Sequence, residues 1–257
     1  MSAQRVDLRT DDGLLDVYAF RPPEEGGPWP SVILYMDAFG IRPNLEAMAQ
    51  RLASGGYFVV VPNLYHRSGA IAPFDPRQVA VEGAERDRFK GMIASIDGRT
   101  AMRDTAAVLD WLDRAAPARA GSIGVVGYCM GGGYALSAAG TFPDRVAVAA
   151  SFHGGSLATA KPDSPHLLAD RIRAKVYIGV AAIDPSFSSE QQQWLEQALE
   201  NAGVDYTLET YEGAKHGFAV TGHLVYDRDA SERHWQRLMA LLQILRRDSG
   251  HASGSRG

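Results

Sequence analysis

The sequence holds a single cysteine in 257 residues. Neither an intrachain disulfide nor a zinc site built on several thiolates can form, so the lone thiol is either buried filler or a nucleophile, and the cytoplasm is the expected compartment. Charge of one sign is not in excess either: 26 Lys and Arg against 30 Asp and Glu give a net charge of -4, which argues against nucleic acid or an anionic membrane as partner. Long apolar runs are missing. Stretches such as Val146 to Ala150 fall far short of the ~20 residues needed to cross a bilayer, and the opening MSAQRVDLRT lacks the apolar centre of a signal peptide. No HExxH or similar metal-ligand spacing occurs, and the glycines at 131 to 133 lack the Lys-Ser/Thr ending of a P-loop, so neither a metal nor a nucleotide is expected.

What is present is ordinary globular composition, 46% hydrophobic and 22% charged. The length predicts one domain over residues 1–247, with the small, polar tail 248–257 expected to be disordered. An Asp-Gly turn between two short alternating stretches predicts an opening hairpin. Buried strands then alternate with amphipathic helices. The strands are SVILY (31–35), FVVVP (58–62), SIGVVGY (122–128), RVAVAASFHG (145–154), KVYIGVAA (175–182) and DYTLETY (205–211). The helices fall at 45–57, 99–115, 131–142, 189–203 and 231–247. This alternation predicts an α/β fold, a mostly parallel central sheet with helices on both faces. Between Pro62 and Gly98 lies a long segment with no strand signal that ends in a charged helical stretch over 79–92. It leaves the carboxyl end of a strand, where open α/β sheets place ligands, and is expected to form a partial lid.

The chemistry concentrates around the cysteine. Gly127-Tyr128-Cys129-Met130-Gly131-Gly132 joins a strand to a helix, the setting of a nucleophile elbow with Cys where Ser usually stands. Glycines two positions before and after remove bulk where strand and helix converge, and a helix N-terminus favours the thiolate. In such an architecture the chain order is nucleophile, acid, histidine. Asp184 follows the strand KVYIGVAA in Ala182-Ile183-Asp184-Pro185, and His216 sits in Gly213-Ala214-Lys215-His216-Gly217-Phe218, in a loop after DYTLETY. Asp184 could instead cap the next helix. Of the other histidines, His153 follows a strand but precedes the acid.

Gly-x-Cys-x-Gly-Gly followed by a late Asp and Gly-x-x-His-Gly-Phe resembles the dienelactone hydrolase family, a cysteine branch of the α/β hydrolases. Asp37-Ala38-Phe39-Gly40, Pro62-Asn63-Leu64-Tyr65 and the stretch from Tyr226 to Trp235 extend the resemblance over almost the whole chain. It implies hydrolysis of lactones or small carboxylic esters by Cys129 as nucleophile, His216 as general base and Asp184 as the group that orients it, with no cofactor. The oxyanion would be held by the backbone N–H groups of Met130 and Ala38. An acidic residue in the Ala38 loop gates the resting thiol in the family; here it is Asp37 where Glu is usual, and Asp37 could instead stabilise its loop. Two arginines clamp a substrate carboxylate in the dienelactone enzymes. Arg67 matches the first, whereas the second position is Val220, so the clamp is incomplete. Tyr65, Phe39, Arg67 and Val220 are expected to line the pocket of a monomer or homodimer. Acyl transfer or thioester hydrolysis on the same residues, and a non-catalytic binding or redox-sensing protein with a reactive thiol, are the competing readings.

Overall fold

The computed structural model describes residues 3–69 and 71–247; the expected tail 248–257 lies outside them. Strands β1 (Gln4–Thr10) and β2 (Gly13–Phe20) form the opening antiparallel hairpin, closed where Thr10 pairs with Gly13. Gly13 takes φ +120°, a left-handed conformation that explains the glycine after Asp11 and Asp12. Six further strands follow: β3 (Ser31–Tyr35), β4 (Phe58–Pro62), β5 (Ile123–Tyr128), β6 (Val146–Phe152), β7 (Lys175–Ile183) and β8 (Tyr206–Lys215). The sheet order is β1-β2-β4-β3-β5-β6-β7-β8. Pairing is antiparallel from β1 to β4 and parallel from β4 through β8. Every residue of β3, β4 and β5 is buried, as continuous apolar strands covered on both faces should be.

Helices α1 (Pro43–Ser54), α2 (Pro76–Val79), α3 (Ala84–Ala94), α4 (Gly98–Leu112), α5 (Met130–Thr141), α6 (Ser189–Asn201), α7 (Arg228–Leu242) and α8 (Ile244–Arg247) complete the fold. Local chemistry sets their ends. Asp97 and Thr100 form a capping box on α4, and Ser188 and Gln191 form another on α6. The buried face of α1, Leu45, Met48, Ala49, Leu52 and Ala53, follows the 3.6-residue period. The last predicted helix begins three residues early, because the Asp227 side chain accepts from the Ala230 N–H at 3.0 Å, and it breaks at Gln243. The charged stretch predicted over 79–92 is interrupted: α2 ends at Val79, and α3 starts only after Gly83, its N-cap at φ +146°.

One departure matters for the site. Strand β8 does not stop at Tyr211 but continues to Lys215, through a register shift that Gly213 at φ +73° allows. Lys215 therefore pairs with Ile183, and the two following residues in question, Asp184 and His216, emerge side by side. The chain also reverses its direction of travel across the sheet. From β3 it moves outward to β4, and from β5 it moves the other way to β6, so a crevice opens between the carboxyl ends of β3 and β5. Among the described residues no helix is long and apolar enough to cross a membrane.

Candidate active site

Cys129 stands at the joint of β5 and α5 with φ 54° and ψ -120°. Such a conformation costs a non-glycine residue ~1–3 kcal/mol and persists only where surroundings enforce it. Here the Cys129 N–H donates to the Phe152 carbonyl at 3.2 Å, and its own carbonyl accepts from the Gly132 and Gly155 N–H groups at 3.0 and 3.2 Å. A Cβ on Gly127 would lie 1.9 Å from the Gly131 carbonyl oxygen, and one on Gly131 would lie 2.6 Å from that of Met36. These glycines therefore let the strand, the helix and the loop after β3 meet around the sulfur.

Two amides border the same crevice. Met130 opens α5, so no carbonyl four residues back along the helix receives its N–H. Ala38 lies in the turn after β3, whose other donors are committed: Gly40 N–H to the Asp37 carbonyl at 3.2 Å and Phe39 N–H to Asp37 Oδ1 at 3.0 Å. The Ala38 peptide is pinned from its far side, because the buried Tyr65 hydroxyl donates to the Ala38 carbonyl at 2.7 Å. Tyr65 thus positions the loop.

His216 Nδ1 is 2.7 Å from Asp184 Oδ2, and Cys129 lies near enough to strengthen the hold of the ring on a proton. With Nδ1 directed at the carboxylate, Nε2 is the nitrogen left for the sulfur. Burial alone would lower the basicity of the ring. The bond to Asp184, with the nearness of Cys129, outweighs it and pushes His216 up to about 10. Ser186 completes this arrangement: its N–H and its hydroxyl donate to Asp184 Oδ1 at 2.9 and 2.6 Å, and its oxygen lies 3.0 Å from His216 Nδ1. Sequence reasoning passed over Ser186, although Asp-Pro-Ser is the signature of a turn in which Asp bonds the backbone two residues on.

Asp37 is fully buried, and Arg42 grips it with both terminal nitrogens, at 2.6 and 2.7 Å. His223 Nε2 approaches the second oxygen at 3.4 Å. Burial opposes the carboxylate charge, but the His223 bond and the Arg42 guanidinium outweigh it and hold Asp37 well below the usual carboxylate range. These contacts are those of a loop brace. Arg42 and His223 carried no sequence signal for this role, since the first lies five residues beyond Asp37 and the second in a distant loop.

The expected substrate clamp is not assembled. Arg67 donates from Nε and Nη2 to Asp12 at 3.0 and 2.8 Å and from Nη1 and Nη2 to Asp104 at 2.8 and 2.6 Å. Both forks of its guanidinium are thus engaged by protein carboxylates, and neither is left for a substrate. Val220 is fully buried, part of the core. Phe39 is half-buried and contacts the rings of Phe89 and His223 at 4.9 and 4.8 Å.

His153 is the neighbour that sequence order set aside. It directly follows β6 with φ 38°, is fully buried, and meets the His216 ring edge-on at 5.2 Å. Neither ring nitrogen has a hydrogen-bond partner. Burial, reinforced by His216 and His223, holds it neutral, well below the ordinary histidine range. No group of three or more His, Cys, Asp or Glu side chains among the described residues is arranged to hold a metal.

A parallel sheet with a cysteine on a strand-to-helix elbow, and an acid and a histidine after later strands, defines an α/β hydrolase. The pattern of the Dienelactone hydrolase family matches residues 15–245, and the chain belongs to that family. It is 28% identical over 227 residues to a Synechocystis sp. protein named "putative carboxymethylenebutenolidase", covering 86% of this chain and 88% of that one. It is 27% identical over 244 residues to a Bradyrhizobium protein named "probable 2-oxo-3-(5-oxofuran-2-ylidene)propanoate lactonase", covering 93% and 92%. The crystal structure of a "putative dienelactone hydrolase" from Klebsiella pneumoniae subsp. pneumoniae MGH 78578 shares the fold, with a TM-score of 0.82 and 24% identity over 94% of this chain and 98% of that one. The protein is a hydrolase of the kind that acts on carboxylic ester bonds.

Proposed function

We propose that the protein cleaves lactones or small carboxylic esters through a thiol acyl-enzyme formed on Cys129. The observation that carries this reading is Cys129 on the strand-to-helix elbow, near enough to His216 to raise its basicity, with His216 bonded in turn to Asp184. The thiol proton passes to His216 Nε2 first, and the sulfur then attacks the ester carbonyl carbon while the ring holds that proton. The carbonyl oxygen becomes an oxyanion between the N–H groups of Met130 and Ala38, each such donor supplying ~2.7–4 kcal/mol in related chemistry. Collapse of that intermediate breaks the carbon–oxygen bond, and His216 returns the proton to the leaving alkoxide. Water then attacks the thioester, His216 takes its proton, and the carboxylic acid leaves with the thiol restored. Asp184, oriented by Ser186, holds the ring in the tautomer this exchange requires.

Intact-protein mass spectrometry during reaction with p-nitrophenyl acetate tests the reading. An adduct of one acetyl group on wild type, absent in Cys129→Ala together with turnover, is expected. Full activity in purified Cys129→Ala would remove the cysteine from the mechanism, and transfer of the acyl group to an added alcohol faster than to water would make the protein an acyltransferase.

A further inference from the structure

The groove beside the oxyanion loop says what kind of substrate fits. It has a volume of about 380 Å³ and is walled by Phe39, Val79, Ala80, Phe89, Leu224 and Val225, with His223 at its base. Its lining adjoins the segments that carry the reacting groups at two points. Phe39 is the residue after Ala38, and His223 packs so closely on Gly217, the residue after His216, that a Cβ there would lie 2.8 Å from the imidazole. An apolar cavity of roughly 150 Å³ already accommodates benzene, so this groove has room for an aromatic ring with a short chain.

The cations near the groove do not make it a carboxylate site. Arg86 reaches its wall but donates from Nε to the Val79 carbonyl and from Nη2 to that of Ala80, at 3.2 and 3.3 Å, and pairs with Glu82. Lys90 is exposed at the rim, where water solvates it. Arg67, engaged by Asp12 and Asp104, and Val220, closed into the core, stand outside the lining of the groove and supply no clamp to it.

Resting on the hydrolase reading above, we propose that this groove binds an uncharged, apolar arm of the substrate, of aromatic size, and so selects neutral aryl or alkyl esters and lactones over carboxylate-bearing ones. Each methylene taken from water into such a groove is worth about 0.8 kcal/mol, roughly a threefold to fourfold gain in kcat/KM.

The test compares methyl acetate with benzyl acetate, methyl phenylacetate and methyl hydrogen succinate, each rate normalised to hydroxide-catalysed hydrolysis of the same ester. One of the two phenyl esters is expected to exceed methyl acetate at least tenfold in kcat/KM, and the succinate monoanion is expected to gain nothing. Ala80→Trp, which places an indole in the groove from an exposed position, and Leu224→Lys, which puts a charge on its wall, should each cut that ratio tenfold or more. Leu167→Lys, at another exposed position, serves as the control that keeps the wild-type ratio. Binding supplies the independent measurement: 4-phenyl-2-butanone, the ketone isostere of benzyl acetate, should bind Cys129→Ala and lose that affinity when Ala80→Trp is added.

Equal normalised rates for small and phenyl esters, a preference for the succinate monoanion, or ketone binding indifferent to Ala80→Trp would each overturn the proposal while leaving ester hydrolysis intact. Ketone binding that Ala80→Trp abolishes, in a wild-type protein that hydrolyses none of the esters, would uphold the groove and reject the hydrolase reading instead.

Discussion

At the scale of single residues, the sulfur of Cys129 and the ring of His216 define each other. Part of what pushes His216 up to about 10 is the nearness of Cys129, acting with Asp184 against burial. Cys129→Ala removes the contributions of the sulfur and leaves the desolvation in place. The His216 pKa, followed by NMR of the ring protons, should therefore fall in Cys129→Ala; an unchanged value would mean that sulfur and imidazole do not interact. Asp184→Asn keeps the shape but loses the charge that stabilises the imidazolium and the acceptor that fixes its tautomer, and should lower kcat by roughly 10⁴-fold, the magnitude known for the same change in a serine triad. Ser186→Ala removes only the hydroxyl that steadies Asp184 Oδ1. A loss near tenfold in kcat is expected there, the step that one modest hydrogen bond of ~1.4 kcal/mol would supply.

At the scale of elements, the turn after β3 is held by a buried ion pair, which explains how a short loop can present the Ala38 amide in a fixed direction. Arg42 is 7% exposed and Asp37 is not exposed at all. Replacing Arg42 by Met would leave an uncompensated carboxylate in the interior, a change that typically costs 3–5 kcal/mol. For a chain of this size that corresponds to a fall in Tm of roughly 10 °C, read by differential scanning calorimetry. Asp37→Asn combined with Arg42→Met should recover much of the loss, because the buried charge is then absent; a double variant as unstable as the single one would show that the pair does not carry the loop.

Much of this architecture was legible before any coordinates, because it depends on local pattern. The strands FVVVP and SVILY are uninterrupted apolar runs, and the elbow declares itself through Gly127 and Gly131, whose missing side chains are required by contacts under 3 Å. The extension of β8 was not legible. It depends on a bulge at Gly213, and the glycine that permits it reads as a loop signal in sequence. The partners of Arg67 were not legible for a related reason. Its position after Pro-Asn-Leu-Tyr is visible in the chain, but the carboxylates of Asp12 and Asp104 that capture it come from the opening hairpin and from α4, far away in sequence. Pairings of this kind are made by the tertiary fold, as are the approach of His223 to Asp37 and that of His153 to His216.

At the scale of the whole molecule, the buried histidines set how stability follows pH. His234 is fully buried, with Nδ1 2.6 Å from the Ser231 carbonyl and Nε2 2.8 Å from the Tyr128 hydroxyl. The neutral ring satisfies both contacts, Nδ1–H donating and Nε2 accepting. Burial pulls His234 down to about 3, against the raising effect of the Ser231 bond and with small opposing contributions from Arg51 and Glu232. His153 is lowered as well, chiefly by burial. In the unfolded chain both regain an ordinary value near 6.5. Below that pH the unfolded state binds protons that the folded state refuses, so stability falls with acid, by ~1.4 kcal/mol per pH unit for each ring, until the folded value is reached. Asp37, whose value is lowered, acts in a separate window: its stabilisation is complete above the ordinary carboxylate range and is lost only as the pH drops below it. His216 works in the opposite direction. Its raised value stabilises the fold fully below about 6.5 and loses that effect as the pH climbs toward 10. Urea unfolding at pH 5, 6.5 and 8 should therefore give the highest free energy near pH 6.5. Between pH 6.5 and 5 the decline should be shallower in His234→Gln than in wild type by roughly 1.4 kcal/mol per unit. The same slope in both proteins would mean that the His234 ring takes up protons while folded, and that its burial against Tyr128 and Ser231 does not hold it neutral.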